Sequence, residues 1–153
     1  MTAYFFDTSA LTKRYVAEIG SGWMQSLMLP AAQNTFYVAR ITLVELVSAI
    51  TRRKKNGDLS NSAAAAALAD LRSTFDSSYE VVEVTAALVS KAELLAEKHA
   101  LRGYDAVQLA ATLHVHSAFV ASHQPPPVLV SADVDLNAAA SAEGLTVEDP
   151  NTH

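Results

Sequence analysis

Short uninterrupted apolar runs alternate with longer segments of helical spacing along the chain. AYFF at 3–6 has the length and continuity of a buried strand. SALTKRYVAE (9–18) carries helical spacing, and GSGWMQSLML (20–29) reads as a break followed by a short helix, with Pro30 beyond. ARITLVELVSAITRRKK (39–55) predicts a strong helix that Asn56 and Gly57 stop. Ser60 caps a second long helix through the alanine run to about residue 75. YEVVEV (79–84) alternates as a strand does. Thr85 caps a helix over 86–101, Gly103 breaks it, and another runs over 104–119. SHQPPP (122–127) is a loop, VLVS (128–131) a short buried strand, and DVDLNAAASAEG (133–144) a helix closed by Gly144. LTVEDP (145–150) is a last strand before a polar end.

Strands alternating with an excess of helices predict an α/β/α sandwich around a mainly parallel sheet. The 153 residues suit one domain, expected over 1–149 with a polar C-terminal tail at 150–153. There is no internal repeat, and the alanine run at 63–67 reads as a closely packed helix. With no cysteine the chain has no disulfide. There is no leader pattern and no apolar run of about 18 residues to span a membrane. A cytoplasmic setting is the expectation.

The net charge of -5 argues against coating nucleic acid by bulk charge. It leaves room for a site that brings its own carboxylates. Four acids stand where such a site would need them. Asp7 and Asp133 each follow a short strand directly, and the carboxyl ends of strands are where ligands collect in open α/β sheets. Each also reads as the N-cap of the helix that follows. Glu45 lies in a helix that is apolar nearly all round, on a stripe with Thr42, Ser48 and Arg52. A carboxylate there must be paired, solvated or bound to a cation. Asp105 opens another apolar helix on a stripe with Gln108 and Thr112; the helix dipole alone could account for it. Together in one crevice the four would repel one another, and a divalent cation removes that cost. All-oxygen ligands, with no Cys and no His pattern among the five histidines, point to Mg²⁺ or Mn²⁺ rather than Zn²⁺.

FFDTSAL, TLVEL, GYDAVQLA and LVSADVDL, in this order, resemble the motifs of PIN-domain ribonucleases, most closely the VapC-like toxins of toxin–antitoxin pairs. The resemblance spans about residues 3–148. It implies a PIN-like domain in which Asp7, Glu45, Asp105 and Asp133 hold Mg²⁺ or Mn²⁺ for endoribonucleolytic cleavage. Thr8 or Ser9 would stand beside the metal or its water, as would Ser131, and Asp135 could share it with Asp133. It also implies an RNA substrate, a cognate antitoxin lying across the site and a homodimer.

RRKK at 52–55 is the one dense basic run. Arg52 lies on the Glu45 stripe, roughly 10 Å along the helix, and with Lys13 and Arg14 is a candidate contact for RNA phosphate. Basic residues also favour helix C-termini on dipole grounds alone. The chain has no Walker lysine motif, no G-x-G-x-x-G turn and no Asp-x-Asp after its first strand. The common nucleotide-binding and phosphatase classes are thereby disfavoured. A non-catalytic PIN-like module that binds RNA or protein is the alternative reading.

Overall fold

The computed structural model describes residues 1–153. Five parallel strands, β1 (Ala3–Phe6), β2 (Thr35–Ala39), β3 (Glu80–Val82), β4 (Val128–Val130) and β5 (Val147–Glu148), form one sheet in the order β3-β2-β1-β4-β5. The connecting helices are α1 (Thr8–Tyr15), α2 (Ser21–Leu27), α3 (Ile41–Asn56), α4 (Asn61–Ser78), α5 (Ala86–His99), α6 (Gly103–Ala121) and α7 (Val134–Ala142). Because successive strand residues face opposite ways, the sheet feeds two cores. Phe5, Ala39 and Leu129 pack against α5, α6 and α7. Phe6, Val38 and Val130 pack against α1 to α4, where Leu46, Ile50, Leu71 and Phe75 close the layer. Phe6 sits level with Val38 on one side and Val130 on the other. Each fully buried side chain of this kind contributes about 1.5–3 kcal/mol.

The chain builds outward from β1 through β2 to β3, then returns to add β4 and β5 on the other side of β1. Connections therefore diverge between β1 and β4, and a crevice opens at the carboxyl ends of those two strands. The backbone N–H of Asp7 donates to the carbonyl of Val130 at 3.2 Å, which holds the two strand ends side by side.

The α/β/α sandwich is the one expected from the sequence, with every strand parallel. One strand was not: β2. TFYVA runs into the apolar start of α3 with only Arg40 between, and a short fully buried strand has the same continuous pattern as a buried helix start. The helix expected from residue 39 therefore begins at Ile41, and Ala39 belongs to the sheet. The expected caps form: Ser60 accepts from Ala63 and Thr85 from Leu88.

The polar C-terminal end is docked. Asp149 caps a 3-10 turn over Pro150–Thr152, Pro150 is buried, and His153 stacks on Trp23 at 4.1 Å between ring centres. This contact depends on Gly20, whose φ of +85° favours glycine and where a Cβ would lie 2.4 Å from the Pro150 carbonyl oxygen. Gly20→Ala is expected to cost more than about 1 kcal/mol and to loosen the last turn. Thermal melting, together with faster hydrogen exchange at residues 148–153, would register it; an unchanged melting temperature would refute it.

Candidate active site

Asp7 emerges from β1 into the crevice and is 3% exposed. Its Oδ1 accepts the Ala10 N–H at 3.0 Å, capping α1, and the Ser9 hydroxyl at 2.7 Å. The Ser9 oxygen in turn accepts the Ala132 N–H at 2.8 Å, which ties the β1 and β4 ends together a second time. Burial pushes the Asp7 carboxyl up to about 7, opposed only by hydrogen bonds from Ala10, Ser9 and Ser131. Asp133 repeats the arrangement after β4. One oxygen caps α7 through the Leu136 N–H at 2.9 Å, and the Ser131 hydroxyl accepts the Asp133 N–H at 3.1 Å. Each aspartate is thus a helix cap and a wall of the crevice at once.

Glu45 comes from α3, on one layer, and is held by groups from elsewhere. The Thr8 hydroxyl donates to its Oε1 at 2.8 Å, and the Gln108 amide of α6, from the other layer, does so at 3.0 Å. The same amide nitrogen reaches Thr42 at 2.8 Å and Thr8 at 3.2 Å. The polar stripes of α3 and α6 therefore face each other over the end of the sheet. Thr42, Gln108 and Thr112 are buried there, while Ser48 and Arg52 run out to solvent. Gln108 Oε1 is buried with no hydrogen-bond partner.

Asp105 opens α6 beside Asp133. Partial burial, and then the Asp133 charge, raise its pKa. Arg102, one residue before α6, meets both: Nε lies 3.2 Å from Asp105 and one terminal nitrogen 3.1 Å from Asp133. The two carboxylates raise the pKa of that guanidinium in return, Asp105 foremost.

The cleft that results has a volume of about 440 Å³ and is lined by Asp7, Glu45, Asp105 and Asp133, with Thr8, Ser9, Arg52 and Arg102 among its walls. No histidine lines it. Asp135 stands outside, exposed, beside His99 and Ala100 in a separate recess, and reaches Asp105 only through its charge. The structure likewise takes Lys13 and Arg14 away from the cleft. Lys13 is buried against Glu18 at 3.2 Å and the Ile19 carbonyl at 2.7 Å. Arg14 pairs with Asp70 of α4 at 3.2 Å. Both stabilise helix packing around α1 where the sequence suggested phosphate contacts. Arg102 and Tyr104 are cleft residues absent from the expected set. Their signal was an arginine three positions before Asp105, close enough on a helix start to pair with it.

The donor set suits a hard cation: carboxylates and hydroxyls, with no nitrogen or sulfur ligand. Asp105 and Asp133, whose charges act on each other, are bridged by a single exposed guanidinium, Arg102. No three acidic or imidazole groups stand close enough to ligate one ion as arranged here.

A PIN-domain family model matches residues 4–141. The chain belongs to the PIN-domain family. Among similar proteins, Ribonuclease VapC45 of Mycobacterium tuberculosis (strain CDC 1551 / Oshkosh) is 33% identical over 147 residues, covering 96% of this chain and 95% of the relative. Two solved structures share the PIN fold. PAE2754 from Pyrobaculum aerophilum has a TM-score of 0.64 at 20% identity, covering 99% of this chain and 85% of that one. VapBC2 from Rickettsia felis, bound to a DNA fragment from their promoter, has a TM-score of 0.58 at 17% identity, covering 97% and 98%. The four acids of the cleft lie within the part of this PIN domain that the family model matches.

The Asp7 shift has a measurable consequence. Between pH 3.8, the ordinary value, and about 7, the folded chain holds a proton that the unfolded chain has lost. Stability is therefore fully present below that window, falls as pH rises through it and stays low above it. Asp7→Asn removes the charge and keeps an acceptor for Ala10 and Ser9. It should stabilise the chelator-treated protein at pH 8, by about 4 kcal/mol at most, and change little at pH 4. Denaturant unfolding at the two pH values checks this. An Asn variant less stable than wild type at pH 8 would contradict the burial cost.

Proposed function

We propose that this PIN domain is a Mg²⁺- or Mn²⁺-dependent endoribonuclease and the toxin of a toxin–antitoxin pair. The observation that carries the reading is the convergence of Asp7, Glu45, Asp105 and Asp133 on one cleft at the switch point of the sheet. It is joined by one-third identity, over nearly the whole chain, to a protein named as a ribonuclease.

In this reading the four carboxylates hold the cation. The chemistry such an ion supplies when bound is an activated water and neutralised charge at the scissile phosphate. The chain's own groups set the geometry. Thr8 and Gln108 hold Glu45, and Ser9 and the Ala10 N–H fix Asp7. Arg102 balances Asp105 and Asp133 in the metal-free chain and is exposed enough to swing aside when a cation takes its place. Arg52, on the wall of the same cleft, is the phosphate contact.

Arg102 also illustrates how an antitoxin would act, since a basic side chain from a partner can satisfy the same two carboxylates. An antitoxin partner is supported further by the VapBC2 assembly on promoter DNA, which shares this fold. The reading extends to a cytoplasmic homodimer. Val89, Leu94 and Val120, apolar side chains that α5 and α6 leave exposed, offer surface for a second copy. No helix is long and apolar enough to cross a membrane.

RNA end mapping in a bacterial host, after induction of wild type or Asp7→Asn, tests the reading. The expected result is growth arrest and new 5′ ends at a few sites with wild type only. In vitro cleavage at the same sites should stop on adding chelator and return with Mg²⁺ or Mn²⁺. Identical new ends from Asp7→Asn would overturn the assigned chemistry. A folded wild-type protein that binds RNA without cutting it would favour the non-catalytic module.

A further inference from the structure

The acidic cleft continues into a second recess. This space, about 500 Å³, shares Thr8, Glu45, Ala49, Arg52 and Tyr104 with the cleft and adds Val44, Ser48, Arg53 and Asn56. Its lining is far less acidic than the cleft's. Glu45 is its one acid, against Arg52 and Arg53, and it follows α3 toward the basic turn that includes Lys54 and Lys55. Arg53 is already paired with Glu18 at 2.7 Å. Arg52 has no ion-pair partner and is exposed, so it is free to meet an anion from either space.

Tyr104 stands on the boundary of the two. It is 59% exposed, although a tyrosine can ordinarily bury most of its ring. It stacks on no other aromatic ring, no cation sits over it, and its hydroxyl has no hydrogen-bond partner in the fold. Val44, 66% exposed, lines the same recess and supplies a second apolar surface. An uncovered aromatic face beside an aliphatic side chain, next to a free guanidinium and within one wall of four carboxylates, fits one chemical object well. That object is a flat heterocycle attached to a phosphate.

From this we infer that the second recess takes an unpaired nucleotide of RNA next to the scissile phosphate. Its base lies on Tyr104 against Val44, and its phosphate meets Arg52. A base inside a duplex cannot reach Tyr104, because its faces are covered by its neighbours; the site selects loops or single strands in which a base is splayed out. Stacking tolerates any base, so Tyr104 sets unpaired structure as the requirement and leaves sequence choice to other contacts. The inference rests on the proposed ribonuclease reading for the scissile phosphate, but the binding it describes can be measured without cleavage.

The test is binding of two labelled RNA probes in chelator, where cleavage is switched off. One is a hairpin with an open loop; the other has the same stem closed into a continuous duplex. Tyr104→Ala should weaken loop binding about 5- to 100-fold and leave duplex binding unchanged. Tyr104→Phe and Tyr104→Trp should stay within about two-fold of wild type, since both keep a stacking face. All three should melt with wild type, because the residue is exposed. With Mg²⁺ restored, Tyr104→Ala should raise KM more than it lowers kcat. Loop binding unaffected by Tyr104→Ala would overturn the inference, as would a Phe variant as weak as the Ala variant. Cleavage left unchanged by Tyr104→Ala would leave the nuclease reading standing and remove this one. Tyr104-dependent loop binding without any cleavage would do the reverse.

Discussion

Like charges gathered at the end of a parallel sheet are the constraint that the rest of this molecule answers. Four carboxylates share one cleft, and one of them, Asp7, is almost wholly buried. Each is restrained by a different neighbour. Ser9 and a helix N-terminus hold Asp7, Ser131 and α7 hold Asp133, Thr8 and Gln108 hold Glu45, and Arg102 spans Asp105 and Asp133. The burial cost remains visible in the raised pKa values of Asp7 and Asp105. A fold that accepts this cost at rest is prepared for positive charge. In the isolated chain Arg102 supplies part of it, and in the proposed reaction a divalent cation supplies more.

The segment FFDTSAL (5–11) condenses this logic. Phe5 and Phe6 anchor β1 in opposite cores, which fixes where Asp7 emerges. Thr8 and Ser9 then turn the chain into α1 while one hydroxyl holds Glu45 and the other Asp7. Strand, acid and hydroxyls are a single device, and none of its parts can be shifted by one residue without facing the wrong layer.

Much of this was legible in the sequence because it is local. An acid directly after a short apolar run places itself at a strand end, and a carboxylate in an otherwise apolar helix announces a polar neighbour. Ser60, Thr85, Asp7 and Asp133 are caps by short-range chemistry, and they form as caps. What stayed hidden is relational. The spacing of Thr42 and Glu45 shows one stripe, and that of Asp105, Gln108 and Thr112 another, but nothing in either says they meet across two layers. Lys13 looked like a surface cation because its partner, Glu18, lies beyond the end of its helix. β2 was masked by the apolar helix it runs into.

The amide of Gln108 carries a consequence of its own. α3 belongs to the core on one face of the sheet and α6 to the core on the other, yet this one side chain touches Thr8, Thr42 and Glu45. The site is therefore a gauge of how the two layers are aligned. A helix in either core that slid by a fraction of a turn would break the bonds of Gln108 to Thr42 and Glu45. The two cores are thus not free to drift independently: a repacking on one face must be matched on the other for Gln108 to keep its grip.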